Sequence, residues 1–247
     1  MRPDIARDDG LFAFNPNASI SSVRVGHCPI VVTQADDVLL HPRQVAEFGL
    51  GCQFAEDDGN LYPGVRARLP AEFSGRFVEW LTRTLHRTGV IDEGCAISDD
   101  VSFYSIVNKG RASLLPLQRI PHYDSADPTV FAAVIYLFDR AHAGTSFYRH
   151  RATGYERIRD DNAKNYKIAL NHNMKILGPP ARDYTNGSSA LFERIHSVDS
   201  AFNRMVIYSG NVLHAADIDG VLFDGTDNER WRLTITSLTK SIARAAR

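Results

Sequence analysis

The sequence predicts a mainly β protein in which N-terminal helices buttress a sandwich or jelly roll. Two observations carry this. Two amphipathic helical patterns lie before residue 95, and beyond it β-rich runs follow one another, separated by clusters of Gly, Pro, Asn and Asp. The 247-residue chain can bury a sizeable core, and all-β domains of roughly 200–250 residues are common. No internal repeat, low-complexity tract or Pro/Ser-rich linker marks a boundary.

The first helical pattern is "LHPRQVAEFGLG", with Pro42 where an opening helical turn tolerates proline. The second, "AEFSGRFVEWLTRTLHRTG", carries Phe73, Phe77, Trp80, Leu81 and Leu85 at three-to-four spacing and stops at Gly89. The runs "VSFYSIV", "PLQRIPHY", "TVFAAVIYLF", "GTSFYRH", "NRMVIYS" and "RWRLTITSL" then read as strands. Residues 155–201 interrupt them with a long polar stretch of weak helical periodicity around 162–177. Insertions of that length are usually lids over a site or mobile loops.

Composition narrows the function. With 28 basic and 29 acidic residues, the net charge of -1 gives no electrostatic reason to expect nucleic acid or an anionic membrane as partner. A small-molecule or peptidyl substrate fits better. Cys28, Cys52 and Cys95 are widely spaced without a CxxC pair, which speaks against a disulfide framework or a cysteine zinc site. The charged N-terminus and the lack of any run near the ~20 apolar residues of a membrane span lead to the expectation of a cytoplasmic protein.

Three stretches bear on chemistry. In "RIPHYDS", His122 and Asp124 would project from the same face of an extended chain, with Tyr123 opposite. A chain with 9 histidines and 29 acidic residues contains about one such pair by chance, so the motif alone is weak. The apolar strand in "RMVIYSGNVLHAAD" delivers His214 just past its end. Together His122, Asp124 and His214 form the two-histidine, one-carboxylate set that binds non-haem Fe(II) on one face and leaves the opposite positions open. In "ERWRLTITSL", Arg230, Arg232, Thr234 and Thr236 alternate with Trp231, Leu233 and Ile235. The polar face is either solvated or lines a cavity, where arginine suits a carboxylate.

The order of these motifs resembles that of the iron(II)/2-oxoglutarate-dependent oxygenases, specifically the prolyl-4-hydroxylase-like branch. "IPHYDS" is similar to the first metal motif, "FAAVIYLFD" and "AGTSFY" to the strands that follow it, "RMVIYSGNVLH" to the distal histidine strand, and "RLTIT" to the last strand with its Arg-x-Ser/Thr pattern. The match covers roughly residues 100–238, while "LYPGVRARLP" resembles a bacterial subgroup of uncharacterised function. The resemblance implies a double-stranded β-helix (jelly roll, cupin-like). It implies one oxygenase domain over residues 1–247, with 1–95 a helical support region and 96–240 the core, interrupted by the 155–201 insertion. It assigns the metal to His122, Asp124 and His214, and the distal carboxylate of 2-oxoglutarate to Arg232, with Thr234 beside it and Tyr136 as a further co-substrate contact or a buried strand aromatic. The stretch from His214 to Arg232 is longer than the family's usual spacing, which leaves Arg230 as an alternative anchor.

The implied reaction uses Fe(II), 2-oxoglutarate and O2 to hydroxylate an unactivated C–H bond of an amino acid, peptide or small metabolite, releasing succinate and CO2. An intact carboxylate at Asp124 favours hydroxylation over halogenation. Arg149, His150 and Arg151 form either an anion contact near the site or a solvated strand edge. A metal-binding jelly roll that does not use 2-oxoglutarate, and a catalytically silent binding module, are the rival classes. Neither the substrate nor the oligomeric state is legible.

Overall fold

The computed structural model describes residues 10–56, 61–138, 144–218 and 232–244. In chain order the elements are β1 (Ser19–Val25), β2 (Ile30–Asp36), α1 (Pro42–Leu50), β3 (Ala55–Glu56), β4 (Gly64–Arg68), α2 (Ala71–Arg87), β5 (Cys95–Val107), β6 (Val130–Tyr136), β7 (Thr145–His150), α3 (Ala163–Leu177), β8 (Phe192–Val198), β9 (Met205–Ser209), β10 (His214–Ala216) and β11 (Leu233–Ala243). The strands form an eight-stranded sheet in the order β1-β2-β9-β6-β11-β5-β4-β3 and a three-stranded sheet in the order β10-β7-β8, with every pairing antiparallel. The result is a jelly roll with unequal sheets.

Strand periodicity sorts the core into layers. Along β6, Phe131, Ala133 and Ile135 face α1 and α2, whereas Ala132 and Tyr136 face the small sheet, where they join one cluster with Phe147 of β7 and Val198 of β8. Phe73, Phe77, Trp80, Leu81 and Leu85 of α2 are all buried against the outer face of the large sheet, as their spacing predicts. Each such side chain contributes about 1.5–3 kcal/mol of burial. The helix ends at Arg87, and Gly89 adopts the left-handed conformation (φ +65°) that closes helix termini.

Three expectations need correction. The region before residue 95 is more than a helical support, because β1, β2, β3 and β4 all join the large sheet. "PLQRIPHY" is not a strand: Pro116–Arg119 forms a 3-10 turn, and His122 makes one isolated bridge to His214. Pro116 and Pro121 have no N–H to give a ladder. The polar stretch 155–201 contains α3 and β8, and β8 completes the small sheet. No described helix is long and apolar enough to cross a membrane.

Candidate metal centre

Backbone hydrogen bonds bring the predicted ligands together. His122 N–H donates to the His214 carbonyl (2.9 Å), and His214 N–H returns the bond to the His122 carbonyl (2.8 Å). Asp124 N–H donates to the Gly210 carbonyl (2.8 Å), which fixes the carboxylate over the turn that follows β9. Tyr123 points the other way and meets Tyr166 of α3 edge-on at 6.2 Å, as two-residue alternation requires.

The donor atoms of His122, Asp124 and His214 lie within 4.8 Å of one another. His122 Nε2 is 3.8 Å and His214 Nε2 3.6 Å from the two oxygens of Asp124. An ion with bonds of about 2.1 Å holds neighbouring ligands about 3 Å apart, a contraction that small side-chain rotations supply. His214 Nδ1 lies 2.9 Å from the Val212 carbonyl, which accepts its proton and leaves the Nε2 lone pair for a metal. The His122 ring opens more than half its side-chain surface (57 % exposed) to a cavity that residues of both sheets line. Desolvation, with His214 and Arg66 adding their charge against the opposing pull of Asp124, pushes this imidazole down to about 4, so it is neutral and able to ligate near pH 7. The donor set and its spacing therefore fit a divalent ion of the Fe(II) type.

The triad lies on the wall of a cavity of about 480 Å³ between the two sheets. Arg232 lines the same cavity and is buried; its Nη2 donates to the Gly144 carbonyl (3.0 Å), and its guanidinium lies 5.7 Å and 5.5 Å from the ring centres of Tyr136 and Phe138. Gly144 has to be glycine, since a Cβ there would collide with the Val198 carbonyl. Tyr136 and Thr234 are in the wall rather than on its surface. The Tyr136 hydroxyl bonds Thr145 Oγ1 (2.8 Å), which does reach the cavity, and Thr234 donates to the Ser105 carbonyl (3.3 Å). Burial, against the field of Arg232, pushes the Tyr136 hydroxyl up to about 12, so it stays protonated. Arg230 lies outside the described residues.

Other expected contacts fall elsewhere. Arg149 is locked in ion pairs with Glu156 (2.6 Å) and Glu193 (2.8 Å), His150 is buried beside Tyr166 and Phe192, and Arg151 donates to the Ser189 carbonyl. These residues are neither an anion site by the triad nor a plain solvated edge. From the 155–201 stretch, Tyr184 and Thr185 reach the cavity wall, while α3 and β8 pack away from it. Sequence reasoning missed Tyr208, whose ring centre is 4.6 Å from that of His214, and Arg66 on β4. Tyr208 had a signal, its place at the end of the strand that leads to His214.

Fold and site together define a double-stranded β-helix with a two-histidine, one-carboxylate constellation on the wall of a cavity. Residues 16–239 match the model of the family described as "Family of unknown function (DUF6445)", and the chain belongs to that family. No protein of curated function matches it in sequence. Among solved structures it is similar to AviO1 from Streptomyces viridochromogenes Tue57 (13 % identity over 91 % of this chain and 94 % of that one, TM-score 0.46). It is also similar to the non-heme alpha ketoglutarate dependent carbocyclase SnoK from nogalamycin biosynthesis (11 %, 86 % and 81 %, TM-score 0.47). A third is HygX from Streptomyces hygroscopicus with nickel and 2-oxoglutarate bound (11 %, 85 % and 82 %, TM-score 0.43). Likenesses of this degree carry no activity over to this chain.

Proposed function

We propose that this chain is an Fe(II)/2-oxoglutarate-dependent oxygenase that hydroxylates a small-molecule or peptidyl substrate. The observation that carries the reading is the convergence of His122, Asp124 and His214 on the wall of a cavity that also holds the buried cation Arg232. His122, Asp124 and His214 would hold the metal. When bound with 2-oxoglutarate and O2, it supplies the oxidation of a C–H bond, with succinate, CO2 and the hydroxylated product as the balanced outcome. Arg232 would pair with the distal carboxylate of 2-oxoglutarate, orienting the keto acid toward the triad, while Phe138 and Tyr136 exclude water from that pair. Asp124 contributes the one negative charge among the ligands, and the cavity leaves room for substrate beside them.

Anaerobic titration of 2-oxoglutarate into the Fe(II) form tests the reading through its metal-to-ligand charge-transfer absorption. Breaking a charged, desolvated pair costs about 2–5 kcal/mol, so Arg232→Ala should weaken 2-oxoglutarate binding roughly 30-fold or more and leave metal binding nearly intact. A larger loss in Arg230→Ala would move the anchor two residues upstream. A wild-type chain that binds metal but gives no such band would instead be a jelly roll that does not use 2-oxoglutarate.

A further inference from the structure

We propose that Tyr208 is a further co-substrate-binding residue, whose hydroxyl donates a hydrogen bond to the keto acid end of 2-oxoglutarate beside the metal. This rests on the oxygenase reading of the cavity and names a contact that neither the triad nor Arg232 supplies.

Sheet register puts Tyr208 at the metal end of the cavity. Tyr208 stands opposite Ala132 on β6, on the face turned toward the small sheet, and both residues line the cavity. From Tyr208 the chain runs into the turn at Gly210, whose carbonyl accepts the Asp124 amide, and on to His214. Arg232 enters from further off. Its guanidinium lies against the ring of Tyr136, four residues along β6 from Ala132 and so about 14 Å away at ~3.4 Å per residue. The Tyr208 side chain reaches into that interval, because the charges of both Asp124 and Arg232 act on its hydroxyl.

Packing accounts for the ring but not for the hydroxyl. The residue is 3 % exposed, its ring centre 4.6 Å from that of His214 and 5.1 Å from that of Phe147, which it meets edge-on. Phenylalanine would make both contacts. Nearby tyrosines bond their hydroxyls within the protein, Tyr136 to Thr145 and Tyr184 to the Lys109 carbonyl, whereas that of Tyr208 makes no hydrogen bond among the described residues. A polar group inside a protein is costly unless something satisfies it, and at a cavity wall that partner is what fills the cavity. A phenol keeps its proton near neutrality, so it offers a donor, and an anionic oxygen gains most from one. The keto acid end of 2-oxoglutarate, drawn to the ion that His214 and Asp124 would hold, brings such an oxygen to this ring.

The test compares the wild type with Tyr208→Phe, which removes the hydroxyl and keeps the ring. Both full chains are loaded with Fe(II) anaerobically and titrated with 2-oxoglutarate and with 2-oxobutyrate, a keto acid that lacks the distal carboxylate, following the charge-transfer absorption. Tyr208→Phe should weaken both ligands by a similar factor, about tenfold or more, as loss of a hydrogen bond to a charged group does. Fe(II) affinity and the Tm of the ligand-free chain should not fall, because the hydroxyl bonds nothing in the protein. Unchanged affinity for both keto acids, a loss confined to 2-oxoglutarate, or a lower Tm without ligand would overturn the proposal. A wild type that takes up Fe(II) but gives no band with either keto acid would refute the oxygenase reading and this contact with it. Equal affinities in wild type and variant would refute this contact alone.

Discussion

His122 and Asp124 are legible as a pair because a two-residue period aims them together in any extended backbone, even though the surrounding segment is not a strand. Arg66 was not legible in that way. The alternation of "VRAR" predicts a face but not which row of a sheet it will join, and that row is fixed by pairing with Ser105, far along the chain. Glu156 is a second residue whose role only the fold reveals. Its buried carboxylate accepts the amides of His27 and Cys28 (3.0 Å each) and two hydrogen bonds from Arg149 (2.8 and 2.6 Å), tying the β1–β2 turn to β7. Burial disfavours the charge, but these donors outweigh it and hold the carboxyl below its ordinary range. A depressed carboxyl stabilises the fold above its unfolded pKa, about 4.3, and that contribution is lost as pH falls through the lower folded value. Glu156→Gln should therefore cost about 3 kcal/mol near neutrality, and the gap to wild type should narrow below about pH 4. Denaturant unfolding at stepped pH measures this, and a gap that does not change with pH would assign the loss to packing instead of charge.

Elements with a strong period were read correctly, and those whose partners decide their state were not. The five large side chains of α2 announce a helix without knowledge of what they cover. In contrast β1 is an edge strand with mostly exposed residues, and β8 alternates around charged side chains, so neither carries an apolar signal of its own. The outer and inner faces of the large sheet also separate two kinds of damage. Phe77 is fully buried between α2 and the outer face, so Phe77→Ala should cost about 3–5 kcal/mol of stability and leave the affinity for 2-oxoglutarate nearly unchanged. Gly144 opens onto β7, and its carbonyl receives both Arg232 and the Asp217 N–H (3.0 Å each). Gly144→Ala forces this carbonyl away from β8 at a cost of about 1–3 kcal/mol and should weaken 2-oxoglutarate binding. Melting curves and charge-transfer titrations on both variants would show opposite patterns, whereas equal loss of affinity in both would deny that the two faces act separately.

At the scale of the molecule, the least legible feature is the order of the strands. β2 lies beside β9, and β11 lies between β6 and β5, pairings between distant parts of the chain that no local pattern encodes. That order decides how the metal site is assembled. His122 and Asp124 lie on the segment running from β5 to β6 of the large sheet, while His214 opens β10 of the small one. An ion held by all three would bridge the two sheets and bind the native state alone. Free ion at a hundredfold excess over its Kd then adds about 2.7 kcal/mol of stability. For a domain of this size each kcal/mol is worth roughly 2–4 °C, so the Tm should rise by about 5–10 °C. Ni(II), which does not oxidise in air, serves as the test ion, and a chelator should return the Tm to its starting value. His214→Ala should abolish the rise because it removes the ligand contributed by the small sheet, leaving two donors on one segment. If His214→Ala kept the full shift, the ion would be binding elsewhere on the chain, and the convergence of the three side chains would have lost its chemical meaning.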